Sequence, residues 1–238
     1  MIAHPDHSVN AALLLASASP RRRELIKLLG LPVETTSADV DEVPLPGEGA
    51  DEMARRLSRE KALAAAQQVR IPHPHRDALQ STFRSVLASD TVVSLDGEPL
   101  GKPRDAAEAR SMLQRLRGRV HQVYTAITLI DLRTDRPIAD LACSAVPMRN
   151  YTDEEIEAYI ASGDPFDKAG AYAIQHDGFR PVENFSGCFA NVMGLPLCHV
   201  TRSLRKPGVE APNDVPALCQ AHLRYDCPVF ESILMSDE

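Results

Sequence analysis

The hydrophobic positions of this chain fall in short runs, separated by charged and turn-forming stretches. Residues 12–16, Ala-Leu-Leu-Leu-Ala, are a continuous apolar run of strand length and read as a buried strand. Ser19-Pro20 then predicts a helix reaching Leu29, because serine suits the N-cap and proline the first helical position. Leu25, Leu28 and Leu29 share one face of that helix, and Gly30 ends it. Residues 33–37 read as a second strand, followed by an acidic loop, Asp39-Val40-Asp41-Glu42-Val43-Pro44. Residues 50–68 predict a long helix in which Met53, Leu57 and Lys61 recur at spacing four, with Ala64 and Ala65 following. Residues 70–84 hold Pro72, Pro74 and two histidines and read as a surface loop.

Residues 86–95 are strand-like, and a helix is expected over 105–116. Residues 120–131 and 137–146 read as a hairpin around Thr134-Asp135-Arg136. Thr152 and Glu155 form a capping box for a helix over 152–162. Residues 195–204 read as the last helix, before a tail that carries three prolines by Pro216 and an apolar-containing end at 218–235. Strands and helices intermingle, so the class is α/β or α+β.

Composition narrows the function classes. The chain has 238 residues, 44% hydrophobic and 25% charged, which fits one large globular domain or two packed lobes. A net charge of −7 argues against a general nucleic-acid binder, so any anion site must be a local cluster of cations. No run approaches the roughly 20 apolar residues of a membrane helix. The first ten residues lack a basic start, and the apolar run after them is short for a signal core. The five cysteines are odd in number and lack C-x-x-C spacing, so reduced cytosolic thiols, and a cytoplasmic protein, are the simplest reading.

Candidate chemistry begins at Ser19-Pro20-Arg21-Arg22-Arg23. A helix start carries positive dipole charge and unpaired N–H groups, so three arginines there are locally unfavourable unless an anion sits beside them. A solvated basic face is the alternative. Asp90 in Ala88-Ser89-Asp90-Thr91-Val92-Val93 is costly if buried alone, and needs a partner, a metal or a catalytic task. Asp96-Gly97 is a hairpin signal. Counting back from it sets Thr91 opposite Lys102 and Lys102 beside Asp90, with Pro99 making this an edge hairpin.

Lys61 lies on the apolar stripe of its helix, which reads either as a snorkelling lysine or as one aimed into a cleft. Asp39, Asp41 and Glu42 offer oxygen ligands of the kind Mg²⁺ or Mn²⁺ takes. The glycine-punctuated run from Gly163 to Gln175 holds Lys168, and the amide of Gln175 can both donate to and accept from a base edge.

In order along the chain, these pieces resemble the Maf-like pyrophosphatases. The matching stretches include Ser17-Ala18-Ser19-Pro20-Arg21-Arg22, Asp41-Glu42, Ser58-Arg59-Glu60-Lys61-Ala62 and Ser89-Asp90-Thr91-Val92-Val93. Gly101-Lys102-Pro103, Gly118-Arg119-Val120-His121, Asp167-Lys168-Ala169-Gly170-Ala171-Tyr172-Ala173-Ile174-Gln175 and Asn191-Val192-Met193-Gly194-Leu195-Pro196-Leu197 continue the set. Each piece is weak, but the ordered set is specific.

The resemblance implies a mixed-sheet, two-lobed α/β fold with a central cleft, similar to the inosine-triphosphate pyrophosphatases. It implies an extension over 1–11, the family domain over 12–205 and a tail of unassigned role over 206–238. It also implies hydrolysis of a nucleoside triphosphate to the monophosphate and pyrophosphate. Asp90 is then the carboxylate that activates water, and Glu42 with Asp90 holds a divalent cation (Mg²⁺, Mn²⁺ or Co²⁺). Ser19, Arg22, Lys61, Lys102 and Lys168 surround the phosphates. Arg21, Thr91 and Gln175 match the branch acting on dTTP and UTP. The alternatives are 7-methyl-GTP or another modified nucleotide, and a regulatory role in septum formation by binding. A homodimer is a further expectation of the family. His176 and Asp177 stand where the family more often has glycine after the glutamine.

Overall fold

The computed structural model of the chain describes residues 12–70 and 83–236. Its centre is a mixed six-stranded sheet of order β2-β1-β3-β5-β6, with the short β4 also paired to β3. β1 (Ala12–Ala16) lies parallel to both β2 (Val33–Thr36) and β3 (Phe83–Leu95). β5 (Val120–Asp131) and β6 (Arg136–Pro147) continue the sheet antiparallel.

Successive side chains of a strand point to opposite faces, and that alternation sorts two apolar layers. Leu13, Leu15 and Leu87 face one side. There they pack with Leu25 of α1 (Pro20–Leu25), Leu29 of its 3-10 continuation (Ile26–Leu29), and Leu197, Val200 and Leu204 from a later helix. Leu14, Ala16, Val86 and Ala88 face the other side, against Ala62, Ala65 and Ala66 of α2 (Ala50–Arg70). The small side chains of α2 let it lie close to the sheet.

β3, β5 and β6 are longer than this first core needs. Their far ends carry Val93, Leu95, Val123 and Val146 into a second core. There they meet Leu113 and Leu116 of α3 (Ala106–Leu116) and Ile156 and Tyr159 of α4 (Asp153–Ala161). The two cores share these strands, and the middle of β3 lies between them.

One edge of β3 changes partner at that point. β1 pairs with it through Ala88, and β4 (Glu98–Leu100) begins only at Val93. Such a change of neighbour opens a crevice beyond the ends of parallel strands, where α/β sheets tend to bind ligands.

Several expectations hold. The Asp96-Gly97 turn has positive φ at both residues, 55° and 85°, as a two-residue hairpin turn requires. Ser19 caps α1, and the Thr152–Glu155 capping box is formed in both directions. Two expectations fail. The β3–β4 pairing stops at Val93–Leu100, so Thr91 is paired with Thr125 of β5 rather than with Lys102. The chain turns away after Leu100 because β4 leads into α3, whose N-cap is Asp105.

Nor are residues 195–204 the last helix. After α5 (Phe189–Val192) and α6 (Leu197–Arg205) come α7 (Val215–Leu223) and α8 (Phe230–Met235). The sequence reading placed no helix in the tail. Pro216 instead sits in the first turn of α7, where it is tolerated, behind an Asp214 cap. Val215 and Cys219 of α7 join the core that holds Leu13 and Leu15. Residues 71–82 of the proline- and histidine-containing loop lie outside the described residues, while Arg70 ends α2 and Phe83 and Arg84 belong to β3.

Candidate active site

The crevice at the middle of β3 is a cleft of about 820 Å³; the site residues implied by the family resemblance line it, while Asp39 and Asp41 of the acidic loop do not. Asp90 lies at its base, 6% exposed. Alternation along β3 aims it at the same face as Val86 and Ala88, the face that α2 covers. On α2, Lys61 sits one helical turn before Ala65, on the stripe that meets the sheet, and is itself buried.

The Lys61 ammonium reaches both carboxylates. Nζ donates to Asp90 Oδ1 at 2.6 Å and to Glu42 Oε1 at 2.6 Å. Glu42 arrives from the acidic loop between β2 and α2. Its other oxygen, Oε2, faces Lys102 Nζ at 3.6 Å. The sequence reading therefore had the wrong lysine beside Asp90. Lys102 pairs with Glu42, because the hairpin ends too early to bring it alongside Asp90, and Lys61 takes the place across the cleft.

The electrostatics follow from this geometry. Burial pushes the Asp90 carboxyl above the ordinary carboxylate range, although the charges of Lys61 and Arg22 pull the other way. Burial also acts on Glu42, but the hydrogen bond and charge of Lys61, with the charge of Lys102, overcome it and leave Glu42 below its usual value. Two acids at one site are thus driven apart, with Asp90 the better proton acceptor.

The opposite face of β3 carries Ser89 and Thr91, and here Arg22 is the organising group. Its Nε donates to Gly194 O at 2.8 Å, Nη1 to Ser89 O at 2.8 Å and Nη2 to the Thr91 hydroxyl at 2.9 Å. The guanidinium fills the stretch of β3 edge between β1 and β4 and satisfies backbone that no strand reaches there. Ser89 Oγ also donates to Gly194 O at 2.8 Å, and Thr91 shares a 3.0 Å hydrogen bond with Thr125. Gly194 has φ 102°, and a Cβ there would lie 3.1 Å from both Arg22 Nε and Thr91 Oγ1. Only glycine fits that conformation and that contact. Ser19 caps the turn bearing Arg21 and Arg22, with the Arg22 N–H 3.5 Å from Ser19 Oγ. Arg23 turns back, its Nε donating to Ser17 O at 3.0 Å.

The second lobe supplies the remaining wall. Lys168 lines the cleft with its ammonium already engaged, donating to Asp164 O (2.6 Å), Asp164 Oδ1 (3.0 Å) and Asp167 Oδ1 (2.6 Å). Asp164 Oδ2 accepts from the Tyr159 hydroxyl at 2.6 Å, and that hydroxyl accepts from the Ala173 N–H at 3.0 Å. Gln175 is exposed at the rim. The run from Gly163 to Gln175 had been read for its lysine and its amide alone, and Asp164 and Asp167 were missed as site residues. The spacing of Asp164 and Lys168, four apart, was the available signal. Tyr172, another lining residue passed over, has its hydroxyl 2.8 Å from His121 Nε2.

A buried carboxylate braced by lysine, with further cations converging on one cleft between two lobes, defines a site for a polyanionic ligand on an α/β scaffold. The chain belongs to the Maf-like protein family, whose model matches residues 12–207. It is 47% identical over 197 residues to a protein of Methylococcus capsulatus, covering 83% of this chain and 91% of that one. It is 44% identical over 223 residues to one of Thermomicrobium roseum (91% and 93%), and 40% identical over 196 residues to one of Geobacter sulfurreducens (82% and 96%). All three relatives are named dTTP/UTP pyrophosphatase. Among the described residues no helix is long and apolar enough to cross a membrane.

Proposed function

We propose that this chain is a nucleoside-triphosphate pyrophosphatase that hydrolyses dTTP and UTP to the monophosphate and pyrophosphate in the cytoplasm. The observation that carries the reading is Asp90, buried, raised in pKa and held by Lys61 in a cleft shared with Arg21, Thr91, Lys102 and Gln175. The names of relatives that match most of the chain point to the same substrates.

Asp90 is the general base. Lys61 fixes Oδ1, which leaves the other oxygen to take the proton from an attacking water. Its raised pKa makes it a stronger base than an exposed aspartate. Arg21 and Lys102 face the phosphates as point charges, and Lys168 joins them by exchanging its carboxylate partners for phosphate oxygens. Arg22, with three donors committed to protein, holds Thr91 and the Gly194 carbonyl in place. Thr91 and Gln175 serve base choice.

Glu42 and Asp90 are hard oxygen donors 2.6 Å from a common cation, Lys61 Nζ. Two carboxylates with phosphate oxygens are a donor set that Mg²⁺, Mn²⁺ or Co²⁺ accepts, so Glu42 and Asp90 would hold the metal. There the metal would supply charge neutralisation and polarisation of the phosphates.

A substrate panel tests the reading. Pyrophosphate release is measured from dTTP, UTP, 7-methyl-GTP and the common nucleotides, with and without divalent cation. Preference for dTTP and UTP is expected. Preference for the methylated purine assigns the other branch, and no metal-dependent release from any of them rejects the enzyme.

A further inference from the structure

We propose that Cys227 is a hydroperoxide-reactive thiolate whose oxidation closes a disulfide to Cys188, tying the C-terminal helices to the segment that walls the cleft. The cysteines are not scattered. Cys188, Cys198, Cys219 and Cys227 line one narrow, apolar crevice between α5, α6, α7 and the start of α8, and only Cys143 lies apart, exposed on β6.

The four sulfurs differ in kind. Cys227 is half-buried in the link between α7 and α8, where its own N–H donates to Gln220 Oε1 at 2.9 Å. The Tyr225 hydroxyl, two residues earlier, donates to Gly187 O at 3.0 Å and so sets this link against the residue before Cys188; the neighbouring Cys188 thiol, with the backbone at Val229 and Phe230, draws the Cys227 pKa down to about 6. The hydrogen bond to Cys227 is the main reason Cys188 moves the opposite way, with burial adding to it. The pair thus shares one proton, which stays on Cys188. Burial pushes Cys198 up to about 12 and Cys219 up to about 11, so both remain thiols. A reachable thiolate beside a protonated, buried thiol is the arrangement of an attacking and a resolving cysteine.

The chemistry balances with a hydroperoxide as oxidant. The Cys227 thiolate attacks one peroxide oxygen, the O–O bond breaks, and the departing hydroxide takes a proton and leaves as water. Cys227 is then a sulfenic acid. Cys188 sulfur attacks Cys227 sulfur, the S–O bond breaks, and the leaving hydroxide departs as water with the Cys188 proton. In total, two thiols lose two protons and two electrons, and hydrogen peroxide takes them up to become two waters.

The bond would join two parts that the fold already places in contact. Cys188 immediately precedes α5, whose Asn191 anchors to Val123 O and Ser144 Oγ at 3.1 and 2.8 Å. The same segment ends in Gly194, which holds Arg22 and Ser89. Cys227 lies beyond residue 207, where the match to the family model ends.

Intact-mass spectrometry of the reduced full chain after treatment with hydrogen peroxide tests this. Loss of two hydrogen masses is expected, reversed by dithiothreitol, with a fragmentation spectrum that places the link between Cys188 and Cys227. Cys188→Ser should stop at one added oxygen on Cys227, and Cys227→Ser should show neither change. Circular dichroism checks that both variants fold; serine suits the cap position before α5. On the unmutated chain, iodoacetamide should label Cys227 first, with a pH midpoint near its value of about 6. Oxygen added at Cys143 while the crevice cysteines stay reduced overturns the proposal. So does a disulfide between any other pair, or a covalent dimer through Cys143.

Discussion

Replacing Lys61 with methionine separates two roles that the cleft geometry leaves entangled. Lys61 could act on the substrate phosphates directly, or act through Asp90 by holding its charge and orientation. Its ammonium sits 2.6 Å from Asp90 Oδ1 and 2.6 Å from Glu42 Oε1, which favours the second. A pair of unit charges about 4 Å apart interacts by about 4 kcal/mol at an effective dielectric near 20. Losing the ammonium removes that attraction and raises the Asp90 carboxyl further. Arg22 still contributes its charge, and water enters where the ammonium was, so the rise is smaller than the full charge pair would give.

The assay is kcat/KM for pyrophosphate release from dTTP across about pH 5 to 9, at saturating divalent cation. The acidic limb reports protonation of the base, and in Lys61→Met it should move to higher pH. Below the displaced limb the variant loses about tenfold per unit. An acidic limb that stays in place while kcat or KM suffers refutes the reasoning, because Lys61 would then serve the phosphates and not Asp90.

Three other outcomes follow from the same geometry. Asp90→Asn should lose roughly 10²- to 10⁴-fold in pyrophosphate release. Because the folded pKa of Asp90 lies above its unfolded value, its stabilising contribution is complete below the unfolded pKa and disappears as pH rises through the folded one. The neutral amide should therefore leave Tm at neutral pH unchanged or higher, and a clear fall by calorimetry contradicts this. Arg22→Lys cannot serve Ser89 O, Gly194 O and Thr91 Oγ1 together, so it should cost about 2–4 kcal/mol in urea unfolding; an unchanged midpoint would contradict the bracing role. Gly194→Ala meets Arg22 Nε and Thr91 Oγ1 at 3.1 Å with φ at 102°, and should destabilise by about 1–3 kcal/mol and lower activity together, checked by urea unfolding beside steady-state rates.

What the sequence determined by itself was local. Ser19-Pro20, Asp96-Gly97 and Thr152 with Glu155 specify caps and a turn through neighbours a few residues away, and all three formed as read. The apolar run at 12–16 and the strand around Asp90 were legible because burial on both faces leaves a continuous apolar run. Asp90 stood out because a carboxylate within such a run is costly alone.

What only the tertiary structure decided was partnership. The partner of Asp90 is Lys61, 29 residues away, and Arg22 binds Gly194 across 172 residues and Ser89 across 67. No local pattern encodes those distances. Counting along a hairpin picked Lys102 because a two-stranded register was assumed to continue, whereas β5 holds Thr91 and β4 ends at Leu100. Lys168 and Arg22 read alike in sequence, as cations for the phosphates. The fold ties one to Asp164 and Asp167 and spends the other on unpaired backbone, because buried donors and acceptors must find partners wherever packing brings them together. The tail followed the same rule: no helix was read in it, and Val215 and Cys219 of α7 found the core.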